Sequence, residues 1–333
     1  PPCMKEFQAI VRTLLSSSDG SAGHVLATLV SVSGSSYRRP GARLLLTGEK
    51  QRIGSISGGC LEEDVLIRAQ RVAASGQAEV VTYDTSAEND LVWGVGLGCH
   101  GVVDILLEKL PPRPAWAGTL AANLRSRTAT PLAVVWQSGN PARLGTHLAS
   151  ELPAISGDRV FLETVHPPTA LTIFGAGDDA QPLLRLAKEL GWHVTVADPR
   201  AAFATQERFP LADAVITGAA ETLVALANPQ ADSLVVVMTH HYIHDVPVLR
   251  ELLARPLPYI GLLGPKKRAA QICADLGLAP GSTARARLHA PVGLDLGAET
   301  PEEVALSILA EMRAVLARRD ARPLRERSRP IHA

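Results

Sequence analysis

Apolar positions recur along this chain with two different periods, and the switches between them mark out helices and strands. Near the start, Phe7, Ile10, Val11, Leu14 and Leu15 fall at helical spacing over residues 5–15, until Ser16, Ser17, Ser18, Asp19 and Gly20 break the pattern. Residues 24–33 alternate around Val25, Leu29, Val30 and Val32 and predict a strand. Further strands are expected at 43–47, 79–83, 102–108 and 132–137, with helices at 61–74 and 120–125. Prolines at 111–114 and at His166-Pro167-Pro168 punctuate this half, because the residue before a proline is pushed away from helix.

Beyond Leu171 short apolar runs alternate with helical stretches. Strands are expected at 171–174, 194–197, 214–216, 234–238 and 259–263, and helices at 180–190, 246–253 and 266–276. That order implies parallel strands joined by crossover helices. The expected fold class is α/β, with an N-terminal α+β domain over residues 1–166 and a C-terminal Rossmann-type, doubly wound parallel sheet over 167–333. Thr300-Pro301-Glu302-Glu303 reads as a capping box opening a last helix that ends near Arg318.

Composition narrows the function classes. With 333 residues, 46% of them hydrophobic and 20% charged, the chain has enough apolar material for two ordinary cores. Lys+Arg and Asp+Glu both number 33, so no global basic field draws in nucleic acid or an anionic membrane. No apolar run approaches the ~20 residues of a membrane span, and the first residues carry no signal-peptide apolar core. Four scattered cysteines form no disulfide framework. The expectation is a cytoplasmic protein without nucleic-acid or membrane partners.

The most specific chemistry sits at Gly175-Ala176-Gly177-Asp178-Asp179-Ala180, which follows a predicted strand and opens a predicted helix. In such a turn Gly175 permits the tight bend, Gly177 lets backbone approach a pyrophosphate, and Ala180 allows close packing of helix on strand. The helix N-terminus then offers free N–H groups to phosphate. Asp198, 23 residues after Gly175, ends the next strand, where an acid binds ribose hydroxyls, and Arg200 beside it admits a phosphorylated group. Asp178 and Asp179 oppose that reading, since they bring negative charge to the phosphate position.

Two cysteines lie in glycine turns. Cys60 follows Gly58 and Gly59 at a predicted helix start, which favours thiolate, although Glu62 and Glu63 pull the other way. Cys99 lies between Gly98 and His100. Upstream, Gly34, Ser35, Arg38, Arg39 and Arg43 combine a glycine–serine turn with guanidinium groups suited to phosphate or a polyoxoanion. Thr239-His240-His241 to His244-Asp245 follows a strand, at the sheet edge where open α/β sheets bind ligands. There His240 with His244, or His241 with Asp245, would face one way on a helix and suit a metal. Lys266, Lys267 and Arg268 add cations after another strand.

Together these segments resemble the XdhC/CoxI family of accessory proteins for molybdenum hydroxylases such as xanthine dehydrogenase. The resemblance is carried by GSSYRRPGAR (34–43), GSISGGCLEEDV (54–65), GLGCHGVVDILLE (96–108), IFGAGDDA (173–180), VTVADPR (194–200), VVVMTHHYIHD (235–245), YIGLLGPKKR (259–268) and PVGLDLGAETPEEVALSILAE (291–311). It implies an XdhC domain followed by a Rossmann domain. It also implies a protein that receives molybdenum cofactor (molybdopterin or its nucleotide form), supports its sulfuration with a cysteine desulfurase and delivers it to the molybdoenzyme. Cys60 and Cys99 then correspond to the family's glycine-flanked cysteines, as molybdenum contacts or sulfur relays, and His240 and Asp245 to a recurring TH…D element. His100, where GCGG is usual, and Asp178, where a histidine is usual, depart from the family pattern. Homodimerisation is a further expectation. Two alternatives remain open: an NAD(P)-dependent oxidoreductase with His240 as the proton-transfer group, and a docking scaffold without cofactor.

Overall fold

The computed structural model describes residues 4–16, 23–49, 51–59, 61–84 and 101–328. The chain divides into two compact units, Pro1–Pro168 and Thr169–Ala333. Cys60, Gly98, Cys99 and His100 lie outside the described residues, so the expectations placed on them stay expectations.

The first unit runs α1 (Met4–Ser16), β1 (Val25–Gly34), β2 (Arg43–Leu46), β3 (Arg52–Gly54), α2 (Glu62–Ser75), β4 (Glu79–Asp84), β5 (Gly101–Lys109), α3 (Ala115–Arg125), β6 (Thr130–Gln137), β7 (Gly145–Leu148) and β8 (Arg159–Val165). Antiparallel pairing gives a five-stranded sheet, β3-β2-β1-β5-β4, and a three-stranded sheet, β7-β6-β8. Successive strand residues face opposite sides, so one strand feeds two cores. Val25, Ala27 and Leu29 pack with Val65, Ala69 and Val72 of α2. Leu26 and Leu45 face the other way, into a cluster with Phe7 and Ile10 of α1, Trp116 and Leu120 of α3, and Leu132 of β6.

The second unit continues as β9 (Ala170–Phe174), α4 (Ala180–Glu189), β10 (His193–Asp198), β11 (Ala214–Thr217), α5 (Ala220–Ala227), β12 (Leu234–Val237), α6 (Tyr242–Leu253), β13 (Tyr259–Leu262), α7 (Lys266–Asp275), α8 (Thr283–Ala286), β14 (Leu288–His289) and α9 (Pro301–Ala317). Its six-stranded sheet has the order β11-β10-β9-β12-β13-β14 and every pairing is parallel. Helices cover both faces. Leu171 and Ile173 of β9 join α4 and α9, whereas Phe174 joins the cluster of α5, α6 and α7. Burial on both sides explains the nearly unbroken apolar runs of β9, β10, β12 and β13. The capping box of α9 is present: Thr300 Oγ1 accepts from the Glu303 N–H at 3.3 Å, and Glu303 Oε2 accepts from the Thr300 N–H at 2.9 Å. Among the described residues no helix is long and apolar enough to cross a membrane.

Candidate functional site

The strand order reverses between β9 and β12, which follow the order 3-2-1-4 in sequence terms, and ligands of open α/β sheets bind in the crevice at such a switch point. The glycine turn leaves the carboxyl end of β9, and the Thr239–His241 segment leaves the carboxyl end of β12 beside it. Their backbones touch. A Cβ on Gly175, whose φ is +127°, would stand 2.4 Å from the Met238 carbonyl oxygen and 2.8 Å from the Thr239 nitrogen. No side chain fits there, and the left-handed φ is one that glycine alone adopts cheaply. The turn is held on both sides, with the Gly175 N–H donating to the Ala197 carbonyl (2.8 Å) and the Met238 N–H to the Phe174 carbonyl (2.7 Å).

The N–H groups of Gly177, Asp178 and Asp179 find no acceptor among the described residues, since the first bonds of α4 come from Ala180 and Gln181. Three open donors at a helix N-terminus form an anion cradle. Asp179 leans over it: its Oδ1 lies 2.6 Å from where a Gly177 Cβ would stand. Its Oδ2 bonds His240 Nε2 at 2.6 Å across the crevice. Asp178 is paired with Arg208, whose Nη2 donates at 2.8 Å. Each acid that the sequence sets against phosphate therefore has a partner of its own, the Arg208 guanidinium for Asp178 and the His240 imidazole, a cation when protonated, for Asp179. The Asp179 hydrogen bond raises the His240 pKa above the ordinary histidine value; burial works against it and the Asp179 charge adds to it. His240 itself sits at φ +62°, an unusual backbone state for a non-glycine residue.

Asp198 behaves differently from the ribose acceptor expected of it. It is fully buried, and its carboxylate accepts from the Ala176 N–H (2.7 Å), the Arg200 N–H (2.8 Å), Arg200 Nε (2.9 Å) and Arg200 Nη2 (2.8 Å). Those bonds use the roughly four lone-pair sites of a carboxylate. Burial alone would push its pKa up, but these hydrogen bonds hold it below the usual carboxylate range. Asp198 is thus a buried anchor for Ala176 and for Arg200.

The paired-histidine metal expectation is not realised. Helix α6 starts at Tyr242, so His240 lies outside it and turns toward Asp179. His241 packs edge-on against the His244 ring at 5.7 Å between centroids. Asp245 points inward, accepting from Thr239 Oγ1 (2.6 Å) and from Arg268 Nη2. Burial raises the Asp245 pKa against these partners. Among the described residues no group of three or more metal-type side chains converges. Arg268, expected as a free cation, instead ties α7 to α6, while Lys266 and Lys267 stay exposed at the start of α7.

In the first unit, the arginine loop is more structural than its sequence suggests. Arg43 is buried, ion-paired with Glu163, bonded to the Gly41 carbonyl (2.9 Å) and stacked 4.4 Å from the Phe7 ring centroid. It cannot meet an oxyanion without breaking that core. Arg38 pairs with Glu6 at 2.5 Å. Tyr37 of the same loop lies against Gly58, whose Cβ would stand 3.8 Å from its ring, so the loops at 34–43 and 54–59 are neighbours. Glu62, missed as a structural residue, organises the second loop. Its carboxylate accepts from the Ser57 N–H (2.9 Å), Ser57 Oγ, Ser55 Oγ (3.2 Å) and the Leu61 N–H (3.2 Å). Burial would raise its pKa, and these donors bring it below the usual value. Glu62 is therefore an anion fixed to the residues flanking position 60. At the start of β5, a Cβ on Gly101 would stand 2.4 Å from the Ser35 carbonyl oxygen, so this strand end packs directly on the Gly34–Ser35 backbone.

A parallel sheet with its glycine turn at the switch point, preceded by an antiparallel α+β unit, defines a two-unit α/β protein with a Rossmann half. Comparison with known proteins narrows this further. A model described as the XdhC and CoxI family matches residues 20–84, and one described as the XdhC Rossmann domain matches 171–312. A probable xanthine dehydrogenase subunit from Bacillus subtilis (strain 168) is 34% identical over 332 residues, covering 93% of this chain and 97% of that protein. The molybdenum cofactor insertion chaperone PaoD of Escherichia coli (strain K12) is 25% identical over 313 residues, covering 93% of this chain and 89% of that one. A crystal structure of a xanthine dehydrogenase from Bacillus halodurans superposes with a TM-score of 0.80 at 29% identity, over 95% of this chain and 97% of that one. The chain belongs to the XdhC and CoxI family.

Proposed function

We propose that this chain is an accessory protein for a xanthine dehydrogenase-type molybdenum hydroxylase, taking up molybdenum cofactor as cargo, supporting its sulfuration and handing it to the enzyme. The observation that carries the reading is the open cradle of the Gly177, Asp178 and Asp179 N–H groups at the switch point, in a chain similar over 93% of its length to a protein named as a molybdenum cofactor insertion chaperone. A phosphate-bearing cofactor needs a donor set of this kind, and Gly175 lets the turn close against Met238 and Thr239. In the first unit, Cys60 and Cys99 are the thiol groups proposed to meet the molybdenum or to relay sulfur from a cysteine desulfurase. His240 and Asp245 are the proposed crevice residues of the second unit, His240 touching ligand and Asp245 holding the β12–α6 corner through Thr239 and Arg268.

The test is delivery. Chain loaded anaerobically with cofactor is mixed with a cofactor-free molybdenum hydroxylase, and recovered hydroxylase activity is followed. Recovery that drops sharply for Cys60→Ala and Cys99→Ala supports the reading. Recovery no greater than with free cofactor alone rejects it.

A further inference from the structure

The loop after β10 sets two guanidinium groups beside the glycine turn. Arg200 engages Asp198 through Nε and Nη2, leaving Nη1 without an acceptor among the described residues. Arg208 reaches back to the turn, donating from Nη2 to Asp178 Oδ1 (2.8 Å) and to the Ala176 carbonyl (3.4 Å). Its Nε is buried without a partner. Both groups rest on the Phe203 ring, with Arg200 Cζ at 4.1 Å and Arg208 Cζ at 5.2 Å from the centroid.

This is the place where Rossmann sites meet the ribose of a nucleotide, normally through a free carboxylate at the end of the second strand. Here that carboxylate, Asp198, is buried with its acceptor sites filled. A ribose diol finds no acceptor in it. What faces outward instead is guanidinium, whose planar array of donors matches the oxygens of a phosphate. The Arg208–Asp178 pair presents little obstacle, because the Asp178 side chain is 90% exposed and such pairs hold weakly in water.

We propose that the second unit takes a nucleotide phosphorylated on its ribose, seating that phosphomonoester on Arg200 and Arg208, and discriminates against the corresponding ribose diol. The inference rests on the Gly175 turn being a phosphate cradle and goes beyond cofactor handling. Such a nucleotide shares the turn with the cofactor's phosphate, so the two ligands exclude one another.

Isothermal titration of the full chain with adenosine 2′,5′-bisphosphate and with adenosine 5′-monophosphate tests it. The bisphosphate is expected to bind at least about tenfold more tightly, the equivalent of ~1.4 kcal/mol, and Arg208→Gln to remove most of that difference. The wild-type comparison decides the matter even where the variant folds poorly. Equal affinities overturn the ribose-phosphate assignment while leaving the turn a phosphate site. Failure of both probes to bind overturns the assignment together with the reading of the turn on which it rests.

Discussion

Asp179 carries two opposing roles, and replacing it with asparagine separates them. Its carboxylate stands over the open N–H groups of the turn and bonds His240 at 2.6 Å. Both His240, about half exposed, and Asp179 remain in contact with water, so their pair is worth ~0–1 kcal/mol. A carboxylate at a helix N-terminus adds ~0.3–1 kcal/mol. Asp179→Asn should therefore lower stability by ~0.3–2 kcal/mol at acidic pH. The sign with pH follows from His240: its pKa is raised in the fold above 6.5, so the pair's contribution is fully present below that value and fades as pH rises through the raised one. Ligand binding should move the other way. A unit charge ~4 Å from a phosphate costs ~1 kcal/mol in water and ~4 kcal/mol at an effective dielectric of 20. With Asp179 partly exposed beside a half-exposed His240, the gain falls between these limits at ~1–2 kcal/mol, or about five- to thirtyfold tighter binding. Urea unfolding at pH 5.5 and 8.5 reads the first effect, a titration of the His240 ring by NMR follows its pKa down toward the ordinary value, and calorimetric titration with ADP reads the affinity. A variant that binds ADP no more tightly than wild type would refute the placement of Asp179 against the phosphate.

Gly175→Ala forces a Cβ to within 2.4 Å of the Met238 carbonyl at a left-handed φ, and strain plus overpacking should cost ~2–6 kcal/mol in urea unfolding. Gly177→Ala meets only the movable Asp179 carboxylate and should leave stability nearly unchanged while weakening ADP binding; equal stability losses for the two alanines would show that the close backbone approach is misassigned. Asp245→Ala strands Arg268 and Thr239 in a buried corner and should cost ~3–5 kcal/mol by denaturant unfolding, whereas a loss below ~1 kcal/mol would mean that the corner does not depend on this pair.

In the parallel sheet of the second unit, β9, β10, β12 and β13 were legible because they are buried on both faces and read as apolar runs, whereas the two-residue β14 leaves too short a pattern to read. Helix α5 was not: Ala220–Ala227 is small and apolar nearly throughout, so no polar face marks its period. Helix α6 begins at Tyr242 although Pro247 lies inside it, and the apolar pattern resumes only at Val246. In the first unit, β3, β7 and β8 are short or alternate only partly, and their pairing with β2 and β6 is what makes them strands. The glycine turn is local and could be read from six residues. Which way its neighbours face is not local. Asp198 bonds Ala176 across 22 positions, Arg208 meets Asp178 across 30, His240 meets Asp179 across 61, and Arg43 meets Glu163 across 120. Charge partners at such separations are set by topology, so a ribose acceptor became an anchor and an anion-binding arginine became part of a core.

Cofactor handling by this chain is read most simply as retention of cargo. The full chain is incubated anaerobically with molybdenum cofactor and passed through gel filtration, and molybdenum and pterin are then measured in the protein fraction. Both are expected to co-elute with the chain in stoichiometric amount, and Gly177→Ala to reduce them together. A wild-type protein fraction that carries neither molybdenum nor pterin would rule out a cofactor-carrying role.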